Sequence, residues 1–418
     1  MKPILQYVAL LLWIFPLKGN PDKGNAPWLE EKFVTEKTSG IAKLEGSRPA
    51  QWRVIWETDP SSQATISWST EKKGESHIVH YDLKSSGGNP ETYSFHKVSD
   101  RDGRFSDSRG EHFHHARLTN LKPSTTYWFV IESDSEHSPE MHFTTAPSDD
   151  RPFSVLFGGD SRSGHFARAQ INLLMASLSE ETEDLLAFAH GGDYVSSGKS
   201  WDQWSRWLSQ HELTVSASGQ VLPIIPTRGN HDDGPLFNEI FDNPGSPDKE
   251  NYFSTRLAPQ VALVTLNSET KAGGSQRTWL GKTLQSLRPE VRWLLAEYHR
   301  PAWPAVKRPG AAQEFWVPLF EEFDVDLVVE SDGHVIKRTV PIRNEKEDST
   351  GVVYVGEGGL GVSQRKPDAG RWYLRSPGMV ARGHHVMNIR FTPEKIDYKV
   401  VLLDRSIADR SIFRPRKK

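Results

Sequence analysis

Pro226-Thr227-Arg228-Gly229-Asn230-His231-Asp232 follows the apolar run Val221 to Ile225, and its Asn-His-Asp triplet stands where a buried strand must end. Upstream, Gly159-Asp160-Ser161-Arg162 and Gly192-Asp193-Tyr194 follow the runs Phe153 to Phe157 and Leu185 to Ala189. Downstream, Tyr298-His299-Arg300-Pro301 closes the run Val291 to Tyr298, and Ser331-Asp332-Gly333-His334 follows Val325 to Val329. One such block alone would be turn chemistry, with Gly for positive φ and Asp or Asn for local capping. Five in this order place carboxylates, a carboxamide and imidazoles on the rim of one sheet. That donor set suits divalent cations: one carboxylate can bridge two ions while further O and N ligands complete each. Such a pair lowers the pKa of a bound water and neutralises the oxyanion of an in-line displacement.

The order of elements places this rim in a larger frame. Leu44 to Pro147 carries short alternating strands, at Trp52 to Trp56, Ala64 to Ser69, Ile78 to Tyr81, His114 to Leu118, Tyr127 to Glu132 and Met141 to Thr145. Turn signals such as Asp59-Pro60 and Ser86-Gly87-Gly88 separate them. After Ala146-Pro147-Ser148 the rhythm changes to strands alternating with helices, the latter near Phe166 to Ser179, Trp201 to Leu213, Trp279 to Leu287 and Ala312 to Phe323. Val352 to Val355, His385 to Phe391 and Ile396 to Leu403 return to β structure. The expected fold is α+β, a four-layer αββα sandwich with two mixed sheets packed face to face under helices, preceded by an all-β sandwich.

At this point the chain resembles a calcineurin-like metallophosphoesterase of the purple acid phosphatase branch, whose blocks run DxG, GDxxY, GNH(D/E), a strand-end His and GHxH. Gln276-Arg277-Thr278-Trp279-Leu280, Lys337-Arg338-Thr339 with Pro341, and Val352 to Val355 leading to Gly358-Gly359 add to the likeness. Leu118-Thr119-Asn120-Leu121-Lys122-Pro123 before Thr126-Tyr127 resembles a fibronectin type III-like sandwich with a Tyr at a strand corner. The resemblance implies a metal-dependent phosphoric ester hydrolase, acid phosphatase-like, in which a metal-bound hydroxide attacks phosphorus in line. It implies two divalent ions (Mn, Fe or Zn), with Asp160 on the first, Asp193 as the bridge, Asn230, His299 and Asp332 on the second, and His334 on the first. His231 would serve the leaving group, Asp232 would fix its tautomer, and Arg162 would hold phosphoryl oxygens. A phosphomonoester is the family's usual substrate and a phosphodiester the nearest alternative; a degenerate envelope binding protein is the alternative of another class.

Three positions depart from the family pattern. Asp332 replaces the first His of GHxH, and Ser196 stands where the purple enzymes have a ligand Tyr, so no tyrosinate-to-iron colour is expected. Arg162 stands where the wider superfamily often has a ligand His. More carboxylate and fewer imidazoles favour harder ions such as Mn²⁺ or Fe²⁺.

Composition narrows the partners. The 418 residues are 36% hydrophobic, enough for one large core and one smaller one. A net charge of −3 gives no electrostatic case for nucleic acid or an anionic membrane; the resemblance implies a small phosphorylated substrate as the partner. The absence of cysteine excludes disulfides, thiolate zinc sites and thiol catalysis. Residues 1–19 read as an export signal, with Met1-Lys2, an apolar Ile4 to Leu17 and then Lys18-Gly19, which implies a secreted or envelope protein without a membrane span after cleavage; an uncleaved anchor is the alternative. The remaining expected divisions are a linker over 20–43, the sandwich over 44–147, the phosphoesterase domain over 151–404 and a solvated basic tail over 405–418. His112, His114, His115, His190 and the pair His384-His385 read as packing residues, His165 as a substrate contact from a loop, and Trp201, Trp204 and Trp207 as a packing face.

Overall fold

The strands that precede the five blocks are buried on both faces: Phe153–Gly158, Leu185–His190, Trp293–Tyr298 and Leu327–Glu330 are buried at every position. Continuous apolar runs of this kind belong in parallel sheets covered on both sides. This computed structural model describes residues 26–56, 58–242 and 250–416; the export signal expected over 1–19 lies outside them. Among the described residues, no helix is long and apolar enough to cross a membrane.

Two large sheets form the centre. In the first, Phe153–Gly158, Leu185–His190 and Ile224–Pro226 run parallel, with Gly158 opposite His190 and His190 opposite Pro226. In the second, Val261–Thr265, Trp293–Tyr298, Leu327–Glu330 and Val353–Gly356 run parallel, with Tyr298 opposite Glu330 and Glu330 opposite Gly356. The inner faces meet in one core that holds Val155, Phe157 and Ile389 from one sheet and Leu263, Leu295 and Val329 from the other. Outside the first sheet, helices His165–Glu181 and Trp201–His211 bury Leu174, Trp204 and Trp207 against Leu156, Phe188 and Ile224. Outside the second, Ser275–Leu287 and Val317–Glu322 bury Leu280, Leu284 and Phe320 against Val264, Ala296 and Val328. The expected four layers are therefore present. The helix expected over Ala312 to Phe323 is two pieces, Ala312–Phe315 and Val317–Glu322, because Pro318 is accepted only in a first turn.

The N-terminal strands form a sandwich, with one sheet built on His77–Asp82 and Thr126–Ser133. Tyr127 closes its corner as expected, its hydroxyl accepting from the Lys122 amide at 2.8 Å. The other sheet of the sandwich is not separate. Strands Ala50–Ile55, Ala64–Thr70, His112–Leu118 and Arg101–Arg104 extend the first central sheet to ten strands, with Ile55 paired parallel to Ile224.

Two expectations need correction. The stretch 20–43 is not simply a linker: Pro27–Leu29 and Glu31–Ser39 are helical, and Trp28 and Val34 are buried in the core beneath helix His165–Glu181. Nor is 405–418 a solvated tail. Ile407–Phe413 is the edge strand of the ten-stranded sheet, and beyond it Arg416 donates to Val325 O and Gly351 O. Ion pairs tie the described part of this stretch down: Arg405 pairs with Glu181, Arg410 with Asp397 and Arg416 with Asp324, while Asp409 accepts from Arg338.

His211 ends helix Trp201–His211 buried and stacked on Trp207, with its Nε2 unpartnered. Burial, followed by the Arg53 charge, lowers its pKa from 6.5 to about 3. The unfolded chain therefore takes up a proton below its ordinary pKa that the folded chain refuses, and stability is lost as pH falls from 6.5 towards 3. His211→Gln is expected to flatten this decline by about 1.4 kcal/mol per pH unit, read from urea unfolding between pH 6.5 and 4. An unchanged slope would refute the neutral buried ring.

Candidate metal centre

Four residues of the five blocks hold left-handed backbone: Asp160 (φ 61°), Asp193 (φ 60°), Asp332 (φ 69°) and His334 (φ 60°). Non-glycine residues in this region cost about 1–3 kcal/mol each and gather at functional sites. The tight turns carry their side chains back over the ends of both sheets. Asp160, Asp193, His299 and Asp332 all present ligand atoms within 4.8 Å of one another, and all four are buried.

Each imidazole is turned by a backbone carbonyl. His299 Nδ1 donates to Gly191 O at 2.8 Å, leaving Nε2 at 3.3 Å from Asp193 Oδ1, 3.2 Å from Asn230 Oδ1 and 3.7 Å from Asp332 Oδ1. His334 Nδ1 lies 3.2 Å from Ser363 O, leaving Nε2 at 3.2 Å from Asp160 Oδ1. A carbonyl on Nδ1 with Nε2 aimed at the centre is the outer-shell arrangement of metal-ligating histidines. His334 Nε2 and Asp160 Oδ1 are moreover buried without a hydrogen-bond partner. Two lone-pair atoms facing each other in this way fit a cation between them. The grouping around His299 presents further oxygen and nitrogen donors to the same centre.

The electrostatics agree. Burial acts to raise the Asp193 carboxyl, but the His299 imidazole and the hydrogen bond from His231 N outweigh it and hold it well below the carboxylate range. Burial acts to lower His299, yet Asp193, Asp160 and Asp332 around it keep its pKa well above the ordinary value. Asp232 is pushed up to about 8 by burial and by Asp193. The site thus crowds four aspartates, and added positive charge relieves them. Close packing enforces the geometry: a Cβ at Gly229 would lie 2.5 Å from Asp193 Oδ1, and one at Gly358 would lie 1.9 Å from Asp160 Oδ2.

Asn230 and His231 reach the same centre, and Arg162 Nε donates to Asp193 Oδ2 at 3.2 Å. The role expected of Asp232 is corrected. Its carboxylate accepts from the amides of Asp193, Tyr194 and Gly229 and does not touch His231. Those short bonds make Asp232 a clamp on the two loops. The tautomer of His231 is fixed by Ser196 O, 2.9 Å from Nδ1, which leaves Nε2 free. Ser196, the departure from the ligand Tyr, therefore serves through its backbone.

Of the packing residues, His190 lies behind the site, between Ser161 Oγ and Gly192 N. Trp201, Trp204 and Trp207 are core, and Tyr194 is buried against His190. His165 is exposed at its helix start and joins none of these contacts. His115 bonds Ser67 Oγ and Glu239 O. His77, Asp102 and His114 also cluster within 4.8 Å. Both nitrogens of each of these rings are already bonded, to Ser133 Oγ and Lys73 O for His77, and to Asp102 and Thr70 Oγ1 for His114, so the group is a satisfied packing between sheets.

Sequence reasoning missed Lys307, whose ammonium pairs with Asp332 Oδ1, and Arg365, which donates to Asp332 O at 2.9 Å. It also missed the buried set Glu330, Lys337 and Glu357 beneath them. Neither cation stands in a motif; only the unusual Asp332 signals that a positive partner is needed.

Comparison with known proteins places the molecule. Residues 49–145 match the family described as purple acid phosphatase, N-terminal domain, and residues 137–336 match calcineurin-like phosphoesterase. Purple acid phosphatase 23 of Arabidopsis thaliana is 26% identical over 393 residues, spanning 80% of this chain and 82% of its own length. An uncharacterized protein of Mycobacterium tuberculosis is 26% identical over 274 residues, 55% of this chain; the match spans 51% of that relative, so only about half of its length is represented. Among solved structures, the purple acid phosphatase of yellow lupin (Lupinus luteus) seeds superposes with a TM-score of 0.73 at 16% identity, covering 88% of this chain and 74% of that one. PhoD gives a TM-score of 0.65 at 12% identity, covering 89% and 90%. Residues 137–336 are thus a calcineurin-like phosphoesterase domain, preceded over 49–145 by a purple acid phosphatase N-terminal domain, and the fold is that of the lupin purple acid phosphatase.

Proposed function

We propose that the protein hydrolyses phosphate esters, using divalent metal ions held by Asp160, Asp193, Asn230, His299, Asp332 and His334. The observation that carries this reading is the convergence of two Nε2 atoms aimed at the centre and three buried carboxylates at the ends of both sheets. Bound ions would supply an activated water and neutralise charge on the phosphoryl oxygens. The chain's own groups do the rest. Arg162, partly buried on Asp193, offers planar donors to a non-bridging oxygen. His231, its Nδ1 engaged by Ser196 O, has Nε2 4.0 Å from Asp193 Oδ2 and 35% of its side chain exposed, so that once Nε2 takes a proton from solvent the imidazolium can pass it to a departing alkoxide. The substrate is a small phosphorylated molecule, with the monoester as the first class to test and the diester as the second.

The test is turnover of p-nitrophenyl phosphate and its bis-ester by full-length protein, stripped with chelator and reloaded with Mn²⁺. Activity should vanish and return with the metal. His231→Ala should lower kcat about 10²–10⁴-fold, and more for alkyl than for nitrophenyl leaving groups. Metal-loaded protein inert towards every mono- and diester tried would leave a binding protein as the better reading.

A further inference from the structure

Lys307 converts the departure at Asp332 into a functional pair. Its ammonium contacts Asp332 Oδ1, the same oxygen that lies 3.7 Å from His299 Nε2, and the Asp332 side chain is only 4% exposed. An imidazole at 332 could not attract this lysine, whereas a carboxylate does. The main chain carrying Lys307 is pinned from both directions. Arg371 donates to Val306 O at 3.0 Å and Lys307 O at 2.8 Å, and Ala305 N donates to Glu357 Oε1 at 2.8 Å. The ammonium is thus held over the His299 grouping instead of sweeping through solvent.

The two halves of the centre are consequently unlike. At Asp160 and His334, Oδ1 and Nε2 have no hydrogen-bond partner. At the other half, Asp332 has Lys307, while His299 Nε2 lies against Asn230 Oδ1 and Asp193 Oδ1. A cation entering this half must displace or repel a charge that is already there.

We propose that Lys307 is a specificity-determining residue of the centre: its ammonium supplies the second positive charge, so that one divalent ion is held tightly by Asp160, Asp193 and His334, and a second, at Asp193, Asn230, His299 and Asp332, weakly. The proposal rests on the reading of this site as a divalent-metal centre. It adds that the protein works with one resident ion and an ammonium beside Asp332.

The experiment is Mn²⁺ binding to chelator-stripped full-length protein, by equilibrium dialysis with elemental analysis and by electron paramagnetic resonance. The wild type is expected to take one ion per chain, with a second about 10–100-fold weaker. Lys307→Met should bring the second affinity up by that factor and give the signal of exchange-coupled Mn²⁺; Lys307→Arg should keep the wild-type pattern. Lys307 is 37% exposed, so both variants should fold, as circular dichroism would show. Two ions of matched affinity in the wild type, or a second ion equally weak in Lys307→Met, would overturn the role of Lys307 while leaving the metal centre standing. Were Lys307→Met to fail to fold, wild-type stoichiometry and Lys307→Arg would still decide. No bound ion in any form would remove the metal centre itself.

Discussion

Asp193→Asn is expected to lower phosphoester turnover by about 10³-fold or more, while the chain stays folded. Asp193 is the carboxylate that touches everything: Oδ1 lies 3.3 Å from His299 Nε2 and accepts from His231 N at 2.9 Å, and Oδ2 accepts from Arg162. Asparagine keeps the shape and tolerates the left-handed backbone that Asp193 adopts. On the proposed assignment it removes a ligand charge shared by both halves of the centre, and it unbalances Arg162. Stability should hold or rise, because Asp193 is one of the forces pushing Asp232 up to about 8. The decisive measurements are kcat, metal per chain and unfolding free energy on one preparation. Full turnover with unchanged metal content would sink the assignment of Asp193 as the shared ligand.

The second large effect concerns stability. Lys337→Met is expected to cost about 3–5 kcal/mol. Lys337, Glu330 and Glu357 are fully buried; the ammonium meets Glu330 Oε2, Glu357 Oε1 at 2.9 Å and Trp303 O at 2.8 Å. Glu330 in turn accepts from Tyr298 Oη and Ala302 N, both at 2.6 Å. Removing the cation strands two carboxylates where burial already raises the Glu357 carboxyl, an effect Lys337 opposes. The triple change Lys337→Met, Glu330→Gln, Glu357→Gln should cost less than the single one, since apolar or neutral replacements of a whole buried network are tolerated better than half of it. Denaturant unfolding of both variants tests this; equal costs would mean that the lost packing of the lysine stem, not the stranded charge, dominates.

The fold was legible wherever burial imposes a pattern. Strands buried on both faces gave unbroken apolar runs, and the amphipathic helices over them gave a helical period, so the four layers follow from hydrophobic order alone. Blocks at strand ends were legible for the same reason: a run of Val, Leu and Ile that stops at Gly-Asp says where the polar edge lies. What escaped depends on partners remote in sequence. Lys307 acquires meaning only beside Asp332, and Lys337 only between Glu330 and Glu357. Asp232 follows His231 in the chain, yet its carboxylate turns to the amides of Asp193, Tyr194 and Gly229, a geometry that adjacency conceals. Edge elements were missed too. Arg101–Arg104 and Ile407–Phe413 carry charged, half-exposed residues whose composition resembles loops or tails.

The pairing of Ile55 with Ile224 has a consequence for how this molecule can be divided. Strand Ile224–Pro226 leads directly into the Asn230-His231 turn, and its neighbour on that side is N-terminal chain, with Trp56 N also donating to Ile224 O at 3.1 Å. The seam is riveted again where Arg53 donates to Ile240 O and His115 meets Glu239 O. Cutting the gene near Pro147 would therefore strip one flank from the strand that feeds the catalytic turn and leave raw backbone ready to recruit another chain. Here the apparent accessory module is the buttress of the site, and the two parts should be expressed and engineered as one unit.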